Sequence, residues 1–509
     1  MILTRTVERI LRARVYDVAI ESPLEEAKIL GQRYQNRILI KREDLQPVFS
    51  FKLRGAYNKM VGLPREVLQR GVIAASAGNH AQGVALAAQK LGTMAHIVMP
   101  ETTPAIKIAA VRRLGARTLL HGDAYDDAYE HARGLSEAEG WSFIHPYDDL
   151  EVIAGQGTIA MEILRQCQDP IHAIFVPVGG GGLIAGIAAY VKFVRPETRV
   201  IGVEPLDSDC LARAMKAGRR VTLKQVGLFA DGVAVRQIGK ETFHLAHALV
   251  DEVITVSTDE ICAAIKDIFD DTRSVAETAG ALGVAGLKKY LETRKMTGET
   301  LIAIESGANI NFDRLRHVAE RAEIGEKRER LLAVTIPERP GSFLDFLEKL
   351  GRRSITEFNY RKSDATLAHV FVGIEAKPEE ALDLIRLLDE EGYPVVDMSD
   401  NLLALDHIRY MVGGHAPSSL EEVLYRFEFP ERPGALHLFL SSLKNRWNIS
   451  LFHYRNHGAA YGRVLAGLEV PKSEQRAFRQ FLDETGLLFE EETRNPAYRL
   501  FAAGAKKKA

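Results

Sequence analysis

Short unbroken apolar runs alternate with stretches of helical period over the first two thirds of the chain. Val72-Ile73-Ala74-Ala75 reads as a short buried strand. It leads into Ser76-Ala77-Gly78-Asn79 and then a helical pattern from His80 to Leu91 that Gly92 closes. Ala95 to Met99 is a second strand, stopped at Pro100, and Ile106 to Leu114 is helical up to Gly115. His172 to Val178 is a strand followed by four glycines and an apolar helix to about Val194. Val200 to Glu204, Val253 to Val256 and Leu301 to Ile304 repeat the strand type. Ile/Val runs that do not alternate with polar residues indicate strands covered on both faces. Such strands separated by helices predict a parallel, doubly wound α/β sheet.

The pattern changes near residue 325. Glu323 to Arg330 is densely charged and reads as a helix end or linker. Beyond it lies an internal repeat, and a repeat outranks other signals. Leu331 to Gly341 (LLAVTIPERPG) reappears as Leu424 to Gly434 (LYRFEFPERPG), 93 residues on. Each copy continues into an apolar helical pattern and then an aromatic strand. These strands are Glu357-Phe358-Asn359-Tyr360-Arg361 and Leu451-Phe452-His453-Tyr454-Arg455, with an offset of 94 at the Tyr-Arg match. Strand, Pro-Gly turn, helix and strand form a βαβ unit that recurs. Residues 326–415 and 416–509 are therefore expected to be two small α+β modules behind a larger domain at 1–325. By pattern alone, two packing modules without a ligand stand as the lesser alternative, since fold does not supply function.

Composition narrows the class. The 509 residues are 46% hydrophobic and 26% charged, which excludes disorder and collagen as overall descriptions. The 66 Lys+Arg against 68 Asp+Glu leave a net charge of -2. No global field exists to hold nucleic acid or an anionic membrane, and Lys506-Lys507-Lys508 reads as a solvated tail. Cys167, Cys210 and Cys262 make neither a disulfide framework nor a CxxC metal pair, so no metal is expected. Met1 to Arg14 lacks the apolar core of a signal peptide. No stretch of about 18 apolar residues could span a bilayer. The expected setting is the reducing cytoplasm.

Four segments carry candidate chemistry. Lys52, in Ser50-Phe51-Lys52-Leu53-Arg54-Gly55, lies among apolar neighbours just before a helical pattern. Desolvation disfavours an ammonium, and a neutral amine can form a Schiff base with an aldehyde. On the hexapeptide alone, a lysine snorkelling from a helix start is the simpler reading. Ser76-Ala77-Gly78-Asn79-His80 sits where a strand hands over to a helix. Asn79 is a candidate N-cap there, and the exposed N–H groups can bind a carboxylate, although plain capping explains the motif as well. Gly179-Gly180-Gly181-Gly182-Leu183 is again a strand-to-helix junction. Four glycines let N–H groups close around a phosphate, and their entropy cost leaves little structural reason for them otherwise. Ser306 follows a strand, where its hydroxyl could bond a ring nitrogen or merely stabilise a turn. A rival reading uses Gly180, Gly182 and Ala185 as G-x-G-x-x-A with Glu204 as the ribose acid of a dinucleotide fold.

Taken together, the set resembles the pyridoxal-phosphate enzymes of the tryptophan-synthase-β class, and within it the biosynthetic threonine dehydratases. The resemblance covers nearly the whole chain. It rests on Lys41-Arg42-Glu43-Asp44-Leu45-Gln46, Ser50 to Tyr57, Ser76 to Gly83, the tetraglycine, Ala230 to Val235, and Ser306-Gly307-Ala308-Asn309. The C-terminal pair is similar to tandem ACT-like regulatory modules. The implied fold is a fold-type-II enzyme with two parallel doubly wound subdomains plus two α+β modules. The implied cofactor is pyridoxal 5'-phosphate. Lys52 would carry it and act as the base at Cα, with Ser306 on the pyridine nitrogen. Phe51 would pack on the ring and Asn79 would bond its 3-oxygen. Gly179, Gly180, Gly181, Gly182 and Leu183 would hold the phosphate, and Ser76, Ala77, Gly78 and Asn79 the substrate carboxylate. The implied reaction takes L-threonine to 2-oxobutanoate and ammonia, the first committed step of isoleucine biosynthesis. L-Serine is a second candidate substrate. Isoleucine would inhibit and valine oppose it, in a homotetramer. Tyr360, Arg361, Tyr454 and Arg455 are the effector candidates, because Arg pairs with a carboxylate and Tyr offers an apolar wall.

Two positions depart from the family pattern. Ala77 stands where Ser is common, and Thr278 where Pro is usual, which predicts a looser loop beside the ring. From other classes, a silent amino-acid sensor and a nicotinamide dehydrogenase remain as alternatives.

Overall fold

The structure is a computed structural model. It describes residues 2–312, 314–325, 329–337, 342–351, 355–360, 367–376, 378–410, 421–430, 447, 449–455 and 461–502. The chain divides into two compact units, Met1–Ala322 and Glu323–Ala509.

The first unit holds two sheets. In the larger, the strand order is β1 (Leu24–Glu26), β2 (Arg37–Arg42), β10 (Thr300–Glu305), β7 (Ala173–Pro177), β8 (Arg199–Pro205), β9 (Glu252–Val256). Only β1 is antiparallel to its neighbour. In the smaller sheet, β5 (Arg117–Leu120), β4 (Ala95–Met99), β3 (Val72–Ala75) and β6 (Ser142–Phe143) are all parallel. Every residue of β3, β4 and β7 is buried, so the unbroken apolar runs do mark strands covered on both faces. The doubly wound α/β expectation holds for both sheets. Element ends moved by a residue at most places: the helix read from His80 begins at Asn79, and the one read from Ile106 begins at Ala105.

In the second unit two four-stranded sheets repeat one topology. Their orders are β12 (Ile355–Tyr360), β13 (Leu367–Glu375), β11 (Glu329–Pro337), β14 (Val395–Asp397), and then β16 (Ile449–Arg455), β17 (Tyr461–Glu469), β15 (Glu422–Pro430), β18 (Leu488–Glu491). All neighbours are antiparallel. β11 and β12 both oppose β13, so they run the same way with β13 inserted between them. The expected βαβ unit is therefore a split one. The Pro-Glu-Arg-Pro-Gly turns lie largely outside the described residues. The two modules share one buried cluster that includes Leu331, Phe371, Leu403, Leu424, Leu465 and Tyr498. Their short helices are capped by Asn401 and Asn495, whose side chains bond each other at 3.2 Å.

Behind the Lys52 segment lies a balanced group of four buried charges. The Arg54 side chain is fully buried. It donates to both oxygens of Glu43 at 2.8 Å, and to Glu162 at 2.6 and 3.0 Å. Lys41 Nζ completes the group, 2.7 Å from Glu162. Removing one partner strands the others without water. Arg54→Met is expected to lower unfolding free energy by about 3–5 kcal/mol. Urea denaturation checks this, and a midpoint equal to that of the parent would contradict it.

Candidate active site

The chemistry-bearing loops follow the carboxyl ends of parallel strands, Ser76 after β3, Gly179 after β7 and Ser306 after β10, which is where doubly wound sheets place their ligands. Lys52 is the first residue of the helix Lys52–Val61, and Ser306 directly follows β10. Backbone pairing joins their loops. Phe51 N–H bonds the Ser306 carbonyl at 3.3 Å, and Ala308 N–H bonds the Phe49 carbonyl at 2.9 Å. Phe49 itself sits at φ 56°, a left-handed conformation that an L side chain rarely adopts and that these bonds hold. Burial pushes the Lys52 amine below its ordinary value, against the pull of Glu277 and Asp231. Its Nζ is 5.9 Å from the centre of the Phe51 ring.

Asn79 is not the N-cap that its sequence position invites. Gly78 takes that place, without a side-chain cap, and Asn79 opens the helix Asn79–Leu91. The reason is a competing set of partners. Asn79 Nδ2 donates to Glu277 Oε1 at 2.5 Å, and Asn79 Oδ1 accepts from Asn309 at 2.7 Å. Asn309 is tied in turn to the Val48 carbonyl at 2.8 Å. With its oxygen taken by a donor, the Asn79 amide cannot flip, and its second N–H is left for a ligand. Ser76 Oγ accepts from Gly78 N–H at 3.2 Å, which folds the Ser76–Gly78 turn ahead of the helix.

Glu277 is the functional candidate that sequence reasoning missed. It is buried, and burial followed by Asp231 raises its carboxyl to about 7. Its one sequence signal is its place in Ala276 to Gly280, beside the departure at Thr278. That departure does not loosen the loop. Thr278 is buried and its hydroxyl bonds the Phe229 carbonyl at 2.9 Å. Asp231 is paired with Lys107 at 2.7 Å and Arg314 at 3.6 Å. These cations hold its carboxyl below its ordinary value although burial opposes them. Ser306 is buried, with its hydroxyl 3.5 Å from the Ala279 carbonyl.

The tetraglycine links β7 to the helix Gly182–Val194, and Gly181 has φ 89°. A Cβ on Gly180 would lie 2.1 Å from the Tyr147 ring, and one on Gly179 2.9 Å from Val233 Cα. Side chains are therefore excluded. Among the described residues no protein group accepts from the N–H of Gly179, Gly180 or Gly181. The helix start at Gly182 and Leu183 adds further N–H groups without intrahelical partners. Free N–H groups grouped at a helix start can hold an anion. The dinucleotide reading fails on Glu204. It is fully buried, and its carboxylate accepts from Leu211 and Ala212 N–H at 2.8 Å each, so it cannot reach a ribose.

Of the effector candidates, Tyr360 ends β12 and pairs with Val370, while Tyr454 pairs with Val464 one repeat later. The two tyrosines thus occupy equivalent register positions. Arg455 ends β16 opposite Arg463, and Arg361 lies outside the described residues. No group of metal-ligating side chains is present among the described residues, and no helix there is long and apolar enough to cross a membrane.

Comparison with known proteins gives concordant matches. A family of pyridoxal-phosphate dependent enzymes matches residues 15–307. The C-terminal regulatory domain of threonine dehydratase matches twice, at 320–408 and 413–502. The biosynthetic L-threonine dehydratase of Burkholderia multivorans is 57% identical over 97% of this chain and 98% of its own length. That of Escherichia coli is 53% identical over 97% of this chain and 96% of its own. The processed threonine deaminase isoform 2 of Solanum lycopersicum superposes with a TM-score of 0.62 at 53% identity, covering 63% of this chain and 93% of that one.

Glu277 binds its proton more tightly folded than unfolded, with a carboxyl raised from 4.5 to about 7. Between those values the folded state holds more protons, so the group lowers stability as pH rises through that window. In cofactor-free protein, Glu277→Gln is expected to lose less stability from about pH 4.5 to 7 than the parent. Melting temperature against pH reads this, and parallel curves would contradict it.

Proposed function

The chain belongs to the biosynthetic threonine dehydratases of the pyridoxal-phosphate-dependent class, and from that premise we propose that it is a threonine ammonia-lyase. It converts L-threonine to 2-oxobutanoate and ammonia, the committed entry to isoleucine synthesis, in the cytoplasm. One observation carries the reading. A lysine whose amine burial pushes toward the neutral form feels Glu277 and Asp231, and the segment that carries Asp231 abuts the tetraglycine, where a Cβ on Gly179 would stand 2.9 Å from Val233 Cα.

The site fits pyridoxal phosphate. Gly179 to Gly182 and the N–H of Leu183 would hold its phosphate, in a loop whose walls leave no room for a Cβ. Ser306 would bond the ring nitrogen, Asn79 would give its remaining N–H to the 3-oxygen, and Phe51 would pack against the ring. When bound, the cofactor supplies an electron sink that acidifies the substrate α-carbon.

This chain supplies the positioning and the proton transfer. Ser76, Ala77, Gly78 and Asn79 hold the substrate carboxylate on the N–H groups that open the helix Asn79–Leu91. Lys52 Nζ takes the α-proton, and burial favours the neutral amine that can do so. Ser306 presents a hydroxyl, not a carboxylate, so it does not hold a proton on the ring nitrogen. That suits loss of the β-hydroxyl over transamination. Ala77 removes one hydroxyl beside the substrate but keeps the N–H donors, so it leaves the reaction intact and bears only on the preference between L-threonine and L-serine.

The duplicated modules bind isoleucine as inhibitor, with valine opposing it, near Tyr360-Arg361 and Tyr454-Arg455. A coupling of about 1–3 kcal/mol would shift apparent affinity about 5–150-fold. The assembly is a homotetramer. The test is 2-oxo acid formation from L-threonine in cofactor-loaded protein, with and without L-isoleucine. Turnover suppressed by isoleucine is expected. Lys52→Ala is expected to lose roughly 10²–10⁴-fold or more in rate. No turnover in loaded parent protein would sink the substrate assignment, and turnover indifferent to isoleucine would sink the effector assignment alone.

A further inference from the structure

Thr242 and Asp148 lie outside every motif considered so far, yet both bear on the tetraglycine. Thr242 is fully buried in the first turn of the helix Lys240–Leu249. Its Oγ1 donates to the Gly180 carbonyl at 2.7 Å, and Gly239 N–H reaches the same oxygen at 3.4 Å. In a trans peptide the C=O and N–H point in opposite directions. Holding the Gly180 carbonyl on the Thr242 side therefore turns the Gly181 N–H to the other side. Gly181 is boxed in as well, since a Cβ there would stand 2.8 Å from Ile238 and 3.0 Å from Thr242.

The helix that carries Thr242 has Gly239 at its N-cap, which offers no capping side chain. The cap comes from far along the chain. Asp148 accepts from the N–H of Lys240 at 2.8 Å, Glu241 at 2.7 Å and Thr242 at 3.3 Å. Asp148 follows β6 of the small sheet, whereas the tetraglycine follows β7 of the large one. His145 Nδ1 fixes this segment by accepting from Tyr147 N–H at 3.2 Å and Asp148 N–H at 2.8 Å. The small-sheet half thus grips the cradle twice, through the Tyr147 ring at Gly180 and through Asp148 acting on Thr242.

We propose that Thr242 is a positioning residue for the cofactor phosphate. It sets the Gly180–Gly181 peptide so that the Gly181 N–H faces the phosphate, and Asp148 sets Thr242 by capping its helix from the other half of the unit. This deepens the proposed function and rests on the tetraglycine being the phosphate cradle.

The test measures pyridoxal phosphate affinity of cofactor-stripped protein by fluorescence titration, together with the phosphorus resonance of the bound phosphate. Thr242→Val keeps the shape and removes the donor. It is expected to weaken binding by roughly 2–12-fold and move the resonance. Thr242→Ser keeps the donor and is expected to match the parent in both. Asp148→Ala is expected to weaken binding in the same direction. If Thr242→Val does not fold, Thr242→Ala set against Thr242→Ser decides in its place. Parent-like affinity and resonance in the variant lacking the donor would overturn the proposal. So would a serine variant as impaired as the valine one, which would make the methyl group the cause. A parent protein that takes up no cofactor would overturn the underlying reading and this proposal with it, an outcome separable from the other two because it appears in the parent.

Discussion

A guanidinium with no access to water fixes the geometry of the catalytic unit. Arg54 stands two residues after Lys52 and faces one carboxylate on each side, Glu43 and Glu162. Buried charge is tolerable only when fully paired, so the cluster exists in one arrangement or not at all. That arrangement joins three pieces of chain: the segment after β2, the first turn of the helix that begins at Lys52, and the helix Leu150–Gln166. Asp149 at the head of the last helix caps it and also pairs with Lys59 at 2.7 Å. The start of the helix that carries Lys52 is thus held by charges buried two residues along it. A lysine in place of Arg54 would satisfy far fewer of these oxygens, because only the planar fork can address two carboxylates at once.

Around Lys52 the same economy tunes protonation. Glu277, Asn79 and Asn309 form a hydrogen-bonded chain in which each amide has one assignable orientation. Burial raises one carboxyl of the site, Glu277, while Lys107 and Arg314 hold another, Asp231, low. Two carboxyl groups with opposite shifts can serve different ends, one holding a proton and one anchoring cations. The cations come from different places: Lys107 lies on a helix of the small-sheet half, Arg314 on the helix that follows β10. The crevice is therefore stitched across its halves at Lys107–Asp231 as well as at Asp148.

The second unit shows what duplication contributes. Each module repeats its supporting contacts as well as its strand order. Leu331 N–H bonds Ser399 Oγ, and Leu424 N–H bonds Thr493 Oγ1, both at 3.0 Å. The modules also share a core and cross-bond at their helix caps, Asn401 to Asn495. A ligand that altered one module would act on a core that the other also needs, which is the physical requirement for coupling between equivalent sites.

The sequence alone determined the class of fold and most of the chemistry-bearing loops. Runs such as Val72 to Ala75 and Ala95 to Met99 have no polar face, so only strands covered on both sides suit them. The tetraglycine marked a strand-to-helix junction with no room for side chains, because four glycines in a row are hard to explain otherwise. The 93-residue echo announced two alike modules. Contacts remote in sequence were decided only by the tertiary structure. Asn79 was legible as a cap, but Glu277, 198 residues away, took its side chain instead. Glu204 was legible as a ribose acid, but folding turned it onto the next helix. Thr278 was legible as a loosening, but Phe229 offered it a carbonyl. β13 inserted itself between two strands that the linear order makes consecutive. In each case a local pattern states what a residue can bond, and only the folded chain brings the partner that it does bond.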